Sequence, residues 1–133
     1  MSAIYISIKP VHLRRIEQGI KNHEFRNYIP KKEFDTLYVY ESYPTSSLKY
    51  IIKIDKIISY PDKIDKDGYG NIEFNQGLKT KYAYHIDKVY KLDNPLDLKT
   101  LKEKYHFTPP QGYAYDTRYQ ELTNYINNLN IVL

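Results

Sequence analysis

The sequence predicts an α+β chain in which about five to six strands curl into a small β-barrel flanked by short helices. Three observations predict it. Short apolar stretches with a period of two recur from Ala3 onward, and helical spacing appears only between the first and second strands and near the end. Along Leu48 to Tyr60 the alternation slips by one residue, Ile52 and Ile54 giving way to Ile57 and Ile58. Such a slip marks a bulge, which bends a sheet toward closure and so removes exposed edges.

Taken in order, Ala3 to Ile8 alternates, with Ile4, Ile6 and Ile8 on one face and Tyr5 and Ser7 on the other, the pattern of a half-buried strand. Pro10 suits the first turn of a helix, where its missing N–H costs nothing. Leu13, Ile16 and Ile20 follow as a narrow apolar stripe that leaves Arg14, Arg15 and Glu17 to solvent. Gly19 closes this helix, because the residue past a helix end often needs positive φ. From Gly19 to Arg26 the chain reads Gly-Ile-Lys-Asn-His-Glu-Phe-Arg. As a strand it puts Asn22, Glu24 and Arg26 on one side and Lys21, His23 and Phe25 on the other, Phe25 toward the core.

Tyr28 to Phe34 is a loop braked by Pro30, Leu37 to Tyr40 a strand covered on both faces, and Glu41 to Ser47 a turn rich in hydroxyls. Pro61 to Gly77 is irregular. Its acidic run does not hold calcium, because counting from Asp62 puts Asp67 at the sixth position, where a glycine is needed. Lys79 to Leu92 is the late strand. Asp93 to Asp97 is a turn into a helix, with Asp97 as N-cap and Leu98, Leu101 and Tyr105 as its buried face. Thr108 to Gly112 is a stiff bend, and 117–129 a C-terminal helix with Tyr119, Leu122, Tyr125, Ile126 and Leu129 as its stripe.

With 133 residues, 41% hydrophobic and 15% aromatic, the chain has enough apolar side chain for one core and too little length for two. A single domain over 1–133 is expected, with 61–77 a loop and 117–129 packed on the barrel. Twenty basic against sixteen acidic residues, net +4, lean mildly toward polyanions. The absence of cysteine excludes disulfides and thiolate chemistry. The N-terminus has no apolar signal segment and no run is long enough to span a bilayer. A cytoplasmic protein without a membrane partner is expected. His12, His23, His85 and His106 show no metal-ligand spacing along the chain, so neither a metal nor a cofactor is expected.

Ser7-Ile8-Lys9-Pro10, a short helix, and Gly19-x-Lys21-x-x-Glu24-x-Arg26 together resemble the signature of the ASCH domain, a small PUA-like barrel associated with RNA. Tyr82-Ala83-Tyr84-His85-Ile86 is similar to that family's late barrel strand, and Pro109-Pro110-Gln111-Gly112-Tyr113 to its Pro-Gln-aromatic turn. The likeness spans roughly residues 3 to 116. It implies an RNA or modified-nucleoside ligand. Candidate binding residues are Lys9, Lys21, Glu24, Arg26, Tyr40, Ser42, Tyr84, Gln111 and Tyr113. The cations meet phosphate, Glu24 grips Arg26, Gln111 reads a base edge, and tyrosines stack splayed bases.

Two other readings stay open. Some small ASCH-like proteins are N4-acetylcytidine amidohydrolases and others ribonucleases, which would make Lys21 and Glu24 catalytic. In the amidohydrolase pattern the lysine falls on Lys21, but the threonine three positions on falls on Glu24, and a further glutamate has only Glu73 as its counterpart. A carboxylate is a poor substitute for a hydroxyl nucleophile. The third reading is structural: Glu24 and Arg26 form a buried pair that fixes the barrel.

Overall fold

A computed structural model describes residues 2–131. Met1, Val132 and Leu133, at the ends of the domain expected over 1–133, lie outside the described residues. The elements are β1 (Ala3–Ile8), α1 (Pro10–Glu17), β2 (His23–Arg26), β3 (Thr36–Glu41), β4 (Ser47–Ser59), α2 (Asn71–Asn75), β5 (Tyr82–Asp97), α3 (Leu98–Tyr105), β6 (Tyr113–Tyr115), a 3-10 turn (Asp116–Tyr119) and α4 (Gln120–Asn127). The strands form one six-stranded sheet in the order β2-β5-β4-β3-β1-β6. β1 and β3 are parallel, as the intervening crossover through α1 requires, and the other pairs are antiparallel.

The curvature has a local cause. The β4–β5 ladder shifts register on both sides of Ile54 and again between Leu48 and Tyr50, and the β3–β4 ladder shifts between Val39 and Tyr40. Each shift adds twist and bends the strand, so the long β4 and β5 wrap the sheet into an open, half-closed barrel. The slip read between Ile54 and Ile57 is therefore a real bulge.

Alternation sorts the strand side chains into two cores. Ile4, Ile6, Ile8, Leu37, Val39, Tyr50, Ile52, Ile54 and Tyr84 pack on one face with Leu13 and Ile16 of α1. Tyr5, Tyr38, Tyr40, Leu48 and Ile51 pack on the other with Leu101 of α3, Phe107, and Leu122 and Ile126 of α4. β1 is thus covered on both faces, not one: Tyr5 is fully buried, and its hydroxyl is satisfied by Thr123 Oγ1 at 2.7 Å.

Several stretches differ from the sequence reading: the helix expected over 117–129 is a 3-10 turn followed by α4, and Ile20, expected in the apolar stripe of α1, lies beyond its end and is exposed. Asp93 to Asp97 is not a turn but the end of β5, with Leu96 opposite Leu48 and Asp97 opposite Ser47. Pro95 is tolerated there because the ladder is interrupted between Lys91 and Leu96 and β2 does not reach it. Asp97 does cap α3, its Oδ1 accepting the Thr100 N–H at 2.8 Å. The segment 61–77 contains the one-turn helix α2 and is tied down. Asn75 bonds both backbone groups of Ile64, at 2.8 and 3.0 Å, and Ile64 and Phe74 are buried with Ile58 and Ala83 in a third small core.

Gly70, at φ 83°, has no room for a side chain: a Cβ there would lie 2.7 Å from Phe25 Cε2 and 2.9 Å from Lys79 Cε. Gly19, at φ 75°, faces open space. Gly19→Ala is expected to lower the unfolding free energy by about 1 kcal/mol through backbone strain alone. Gly70→Ala adds overpacking, for a loss of about 2–4 kcal/mol in total. Urea titration of both variants checks the order.

Candidate functional site

After α1, the Gly19 N–H is accepted by Ile16 O, and those of Ile20 and Lys21 by Arg15 O. This reversal turns the Lys21 side chain back onto the strand it precedes. β2 pairs only with β5, Glu24 opposite Tyr84 and Arg26 opposite Tyr82. Among the described residues no backbone ladder joins β2 to β1 or β6. Side chains cross that gap instead.

Glu24 stands at the centre of the crossing. Its Oε2 accepts from Arg26 Nε at 3.0 Å and Nη2 at 2.8 Å, and its Oε1 lies 3.2 Å from Lys21 Nζ. The guanidinium therefore closes on one carboxylate oxygen, leaving the other to the ammonium. Arg26 Nη2 also donates to Ser7 O of β1 at 2.9 Å, and Nη1 to the Tyr28 hydroxyl at 3.2 Å. That hydroxyl donates to Gly112 O at 3.0 Å, Tyr84 donates to Tyr28 O at 2.5 Å, and Ser7 Oγ donates to Pro110 O at 2.8 Å. The Tyr28 ring stacks on Tyr113 with centroids 5.1 Å apart. One network thus binds β1, β2, β5 and the Pro109 to Gly112 bend.

Burial opposes the charge on Arg26, but contact with Glu24 outweighs it, and the guanidinium is held more firmly protonated than usual. Burial raises the hydroxyl pKa of both Tyr28 and Tyr84, keeping them as neutral hydrogen-bonding groups. Glu24 Oε1 is buried and, despite the ammonium beside it, has no hydrogen-bond donor aligned with it.

The structure gathers Lys21, Glu24, Arg26 and Tyr84 at this seam, with Tyr113 attached through Tyr28. Gln111 is exposed on the bend, between the two carbonyls that hold Ser7 and Tyr28. Lys9 is exposed just past β1, and Ser42 donates its N–H to Ile8 O at the same strand end. Neither joins the network. Tyr40 lies on the far face of the sheet, 4% exposed beside Phe107, and is packing, not a platform. Phe25 is less buried than Glu24 or Lys21, reversing the expected polarity of β2, because the segment containing Phe74 covers one side and the sheet interior the other.

Sequence reasoning passed over Tyr28, although it continues the alternation of Asn22, Glu24 and Arg26. It also left Arg14 and Arg15 to solvent. Arg14 donates to the fully buried Glu41 at 2.8 Å and to Tyr50 at 2.7 Å, with Thr45 also on Glu41 and Tyr50 on Glu17, while Arg15 lies 4.1 Å over the Tyr69 ring. A cavity of about 450 Å³ opens between 29–35 and 54–57, and one of about 310 Å³ beside His23 and His85. Neither is lined by Lys21, Glu24 or Arg26.

No family model matches this chain, and no curated protein matches it. Solved structures do. The crystal structure of ASCH from Zymomonas mobilis is 22% identical, with a TM-score of 0.64 over 92% of this chain and 94% of that one. A tyrosine-to-phenylalanine mutant of the same protein gives 20%, 0.66, 93% and 98%, and a serine-to-alanine mutant 21%, 0.65, 92% and 95%. The chain has the ASCH fold, as the resemblance in its motifs implied. No helix among the described residues is long and apolar enough to cross a membrane.

With side chains of Lys21 and Glu24 only 4% and 7% exposed, the cluster balances buried charge against buried charge. Glu24→Gln leaves Lys21 and Arg26 without a counter-charge and is expected to lower the unfolding free energy by about 3–5 kcal/mol. Adding Lys21→Met to it recovers part of the loss. Denaturant titration of the single and double variants measures both.

Proposed function

We propose that this protein is an ASCH-family domain that binds single-stranded RNA or a modified nucleoside at the β1–β2 seam. The observation that carries the reading is the Glu24 carboxylate. Its Oε1 is buried 3.2 Å from the Lys21 ammonium, which is not aligned to donate to it, so the carboxylate keeps acceptor capacity for a further donor. The amino group of a base would supply that donor. Support also comes from the surroundings: a stacked tyrosine pair, Tyr28 and Tyr113, the exposed amide of Gln111, and the exposed Lys9 for phosphate. The ASCH fold agrees with a nucleic-acid partner.

Hydrolysis is the weaker reading. Glu24 stands where the amidohydrolase pattern has a hydroxyl, and it is already engaged by two cations.

The test is binding of a labelled single-stranded RNA, and of N4-acetylcytidine, to the full chain at several salt concentrations. RNA affinity is expected to fall with salt. Tyr113→Ala, which removes a stacking ring outside the ion cluster, is expected to weaken binding by about 1–3 kcal/mol, and Gln111→Ala to weaken it less while relaxing base preference. Deacetylation of N4-acetylcytidine or cleavage of the RNA, lost in Lys21→Ala, would favour an enzyme. Neither binding nor turnover would leave the seam a purely structural device.

A further inference from the structure

We propose that His23 and His85, paired across β2 and β5, ligate a borderline divalent transition ion such as Zn²⁺ through their two Nε2 atoms. The inference is independent of the RNA reading and lies on the opposite face of β2 from Glu24.

His23 and His85 are direct partners in the antiparallel ladder, with ring centroids 5.0 Å apart and planes at 58°. Two imidazoles sharing one tetrahedral ion, each with a metal–nitrogen bond of about 2.1 Å, place their ring centres about 5 Å apart. The spacing of the rings admits a shared ion.

The tautomers follow from the partners. His85 Nδ1 lies 2.6 Å from Asp55 Oδ1, which only accepts, and its Nε2 lies 3.1 Å from Lys66 Nζ, which only donates. The proton is therefore on Nδ1 and the lone pair on Nε2. For His23 the amide of Asn22 decides. Its Nδ2 donates to the Asp67 carbonyl at 2.8 Å, and its Oδ1 accepts from Asn71 Nδ2 at 3.0 Å. That nitrogen is itself fixed by the Lys66 carbonyl at 3.1 Å. Asn22 thus turns its oxygen, at 2.7 Å, to His23 Nδ1, which donates, so the lone pair again sits on Nε2.

Each histidine thus donates its Nδ1 proton to a fixed oxygen and carries its lone pair on Nε2, that of His85 facing Lys66, the arrangement that outer-shell partners impose on metal-bound histidines. The fold already seats a cation at His85 Nε2, the ammonium of Lys66. Because Lys66 is exposed and flexible, it can swing out and yield that position. The rings line the cavity of about 310 Å³, which Asp65 also lines. Among the described residues no group of three or more histidine or acidic side chains is assembled for a metal. The site therefore supplies two nitrogens, with Asp65 in reach by rotation of an exposed side chain, and is exchangeable rather than structural. Lys56 and Lys63 on the rim oppose the ion, but both are exposed and screened by solvent.

Titrating the full chain with ZnCl₂ tests this, by calorimetry and by the NMR signals of the two imidazole rings. Saturable binding is expected, with the His23 and His85 ring signals shifting together. His85→Gln should weaken it by roughly tenfold or more, as should Asp55→Ala through the lost outer-shell contact. Lys66→Met should strengthen it severalfold by removing the resident cation, an effect a structural role for Lys66 would not produce. Absence of saturation up to about 1 mM Zn²⁺, or affinity unchanged in His85→Gln, overturns the proposal. So does a joint shift of both rings on adding inorganic phosphate but not Zn²⁺, which would make the cavity an anion site. If His23→Gln fails to fold, His85→Gln and Lys66→Met decide alone.

Discussion

The Arg26 guanidinium closes what the backbone leaves open. A six-stranded sheet of this size must curl to cover its apolar face, yet among the described residues its two edges do not pair, and β2 is only four residues long. Arg26 spans the gap with one arm on Ser7 of β1 and two nitrogens on Glu24 of its own strand. Taking three charges out of water is costly, and the arrangement survives because each charge faces another of opposite sign at close range. The side chains of Ser7, Tyr28 and Tyr84 then extend the same bridge to the Pro109 to Gly112 bend.

That constraint explains how the sixteen tyrosines are used. Four act where a ring must be dry and a hydroxyl must find a partner. Tyr5 reaches Thr123, Tyr38 reaches Asn127, Tyr50 reaches Glu17 and Tyr84 reaches a backbone carbonyl. A phenylalanine would fill the same volume but would not tie the strand to the next layer. Only Tyr28 and Tyr113 combine stacking with a position beside both the ion cluster and an exposed bend. This separates them from the packing tyrosines as candidates for contact with a base.

The two faces of β2 have separate chemistry. The Glu24 face holds charge in a dry, balanced cluster joined to the barrel seam. The His23 face holds two imidazoles whose Nδ1 atoms meet Asn22 and Asp55, beside a cavity walled by the tethered segment 61–77. Both depend on one strand being sandwiched, which the anchors of that segment secure: Tyr69 N–H on Ile20 O, and Asn22 on Asp67 O.

Much of this was legible in the chain. Period-two alternation located the strands up to Leu92, the slip at Ile54 located the bulge, Gly19 marked the end of α1, and Asp97 announced its own capping role. All are local effects, decided by backbone geometry within a few residues. Alternation likewise placed Glu24 and Arg26 on one side, whereas Lys21 joins them only because the chain reverses after α1. Sequence could not tell that Glu24 would be buried more deeply than Phe25, that Tyr40 would face away from the seam, that Arg14 would meet Glu41, or that His23 would lie opposite His85. Each of those depends on which distant segment covers a given face, and burial is a property of the whole packed sheet. The sequence by itself determined most of where the chain extends and coils, because those are local choices; only the tertiary structure decided that Asp93 to Asp97 and Tyr113 to Tyr115 pair as strand, which side chains are dry, and which distant partners satisfy them.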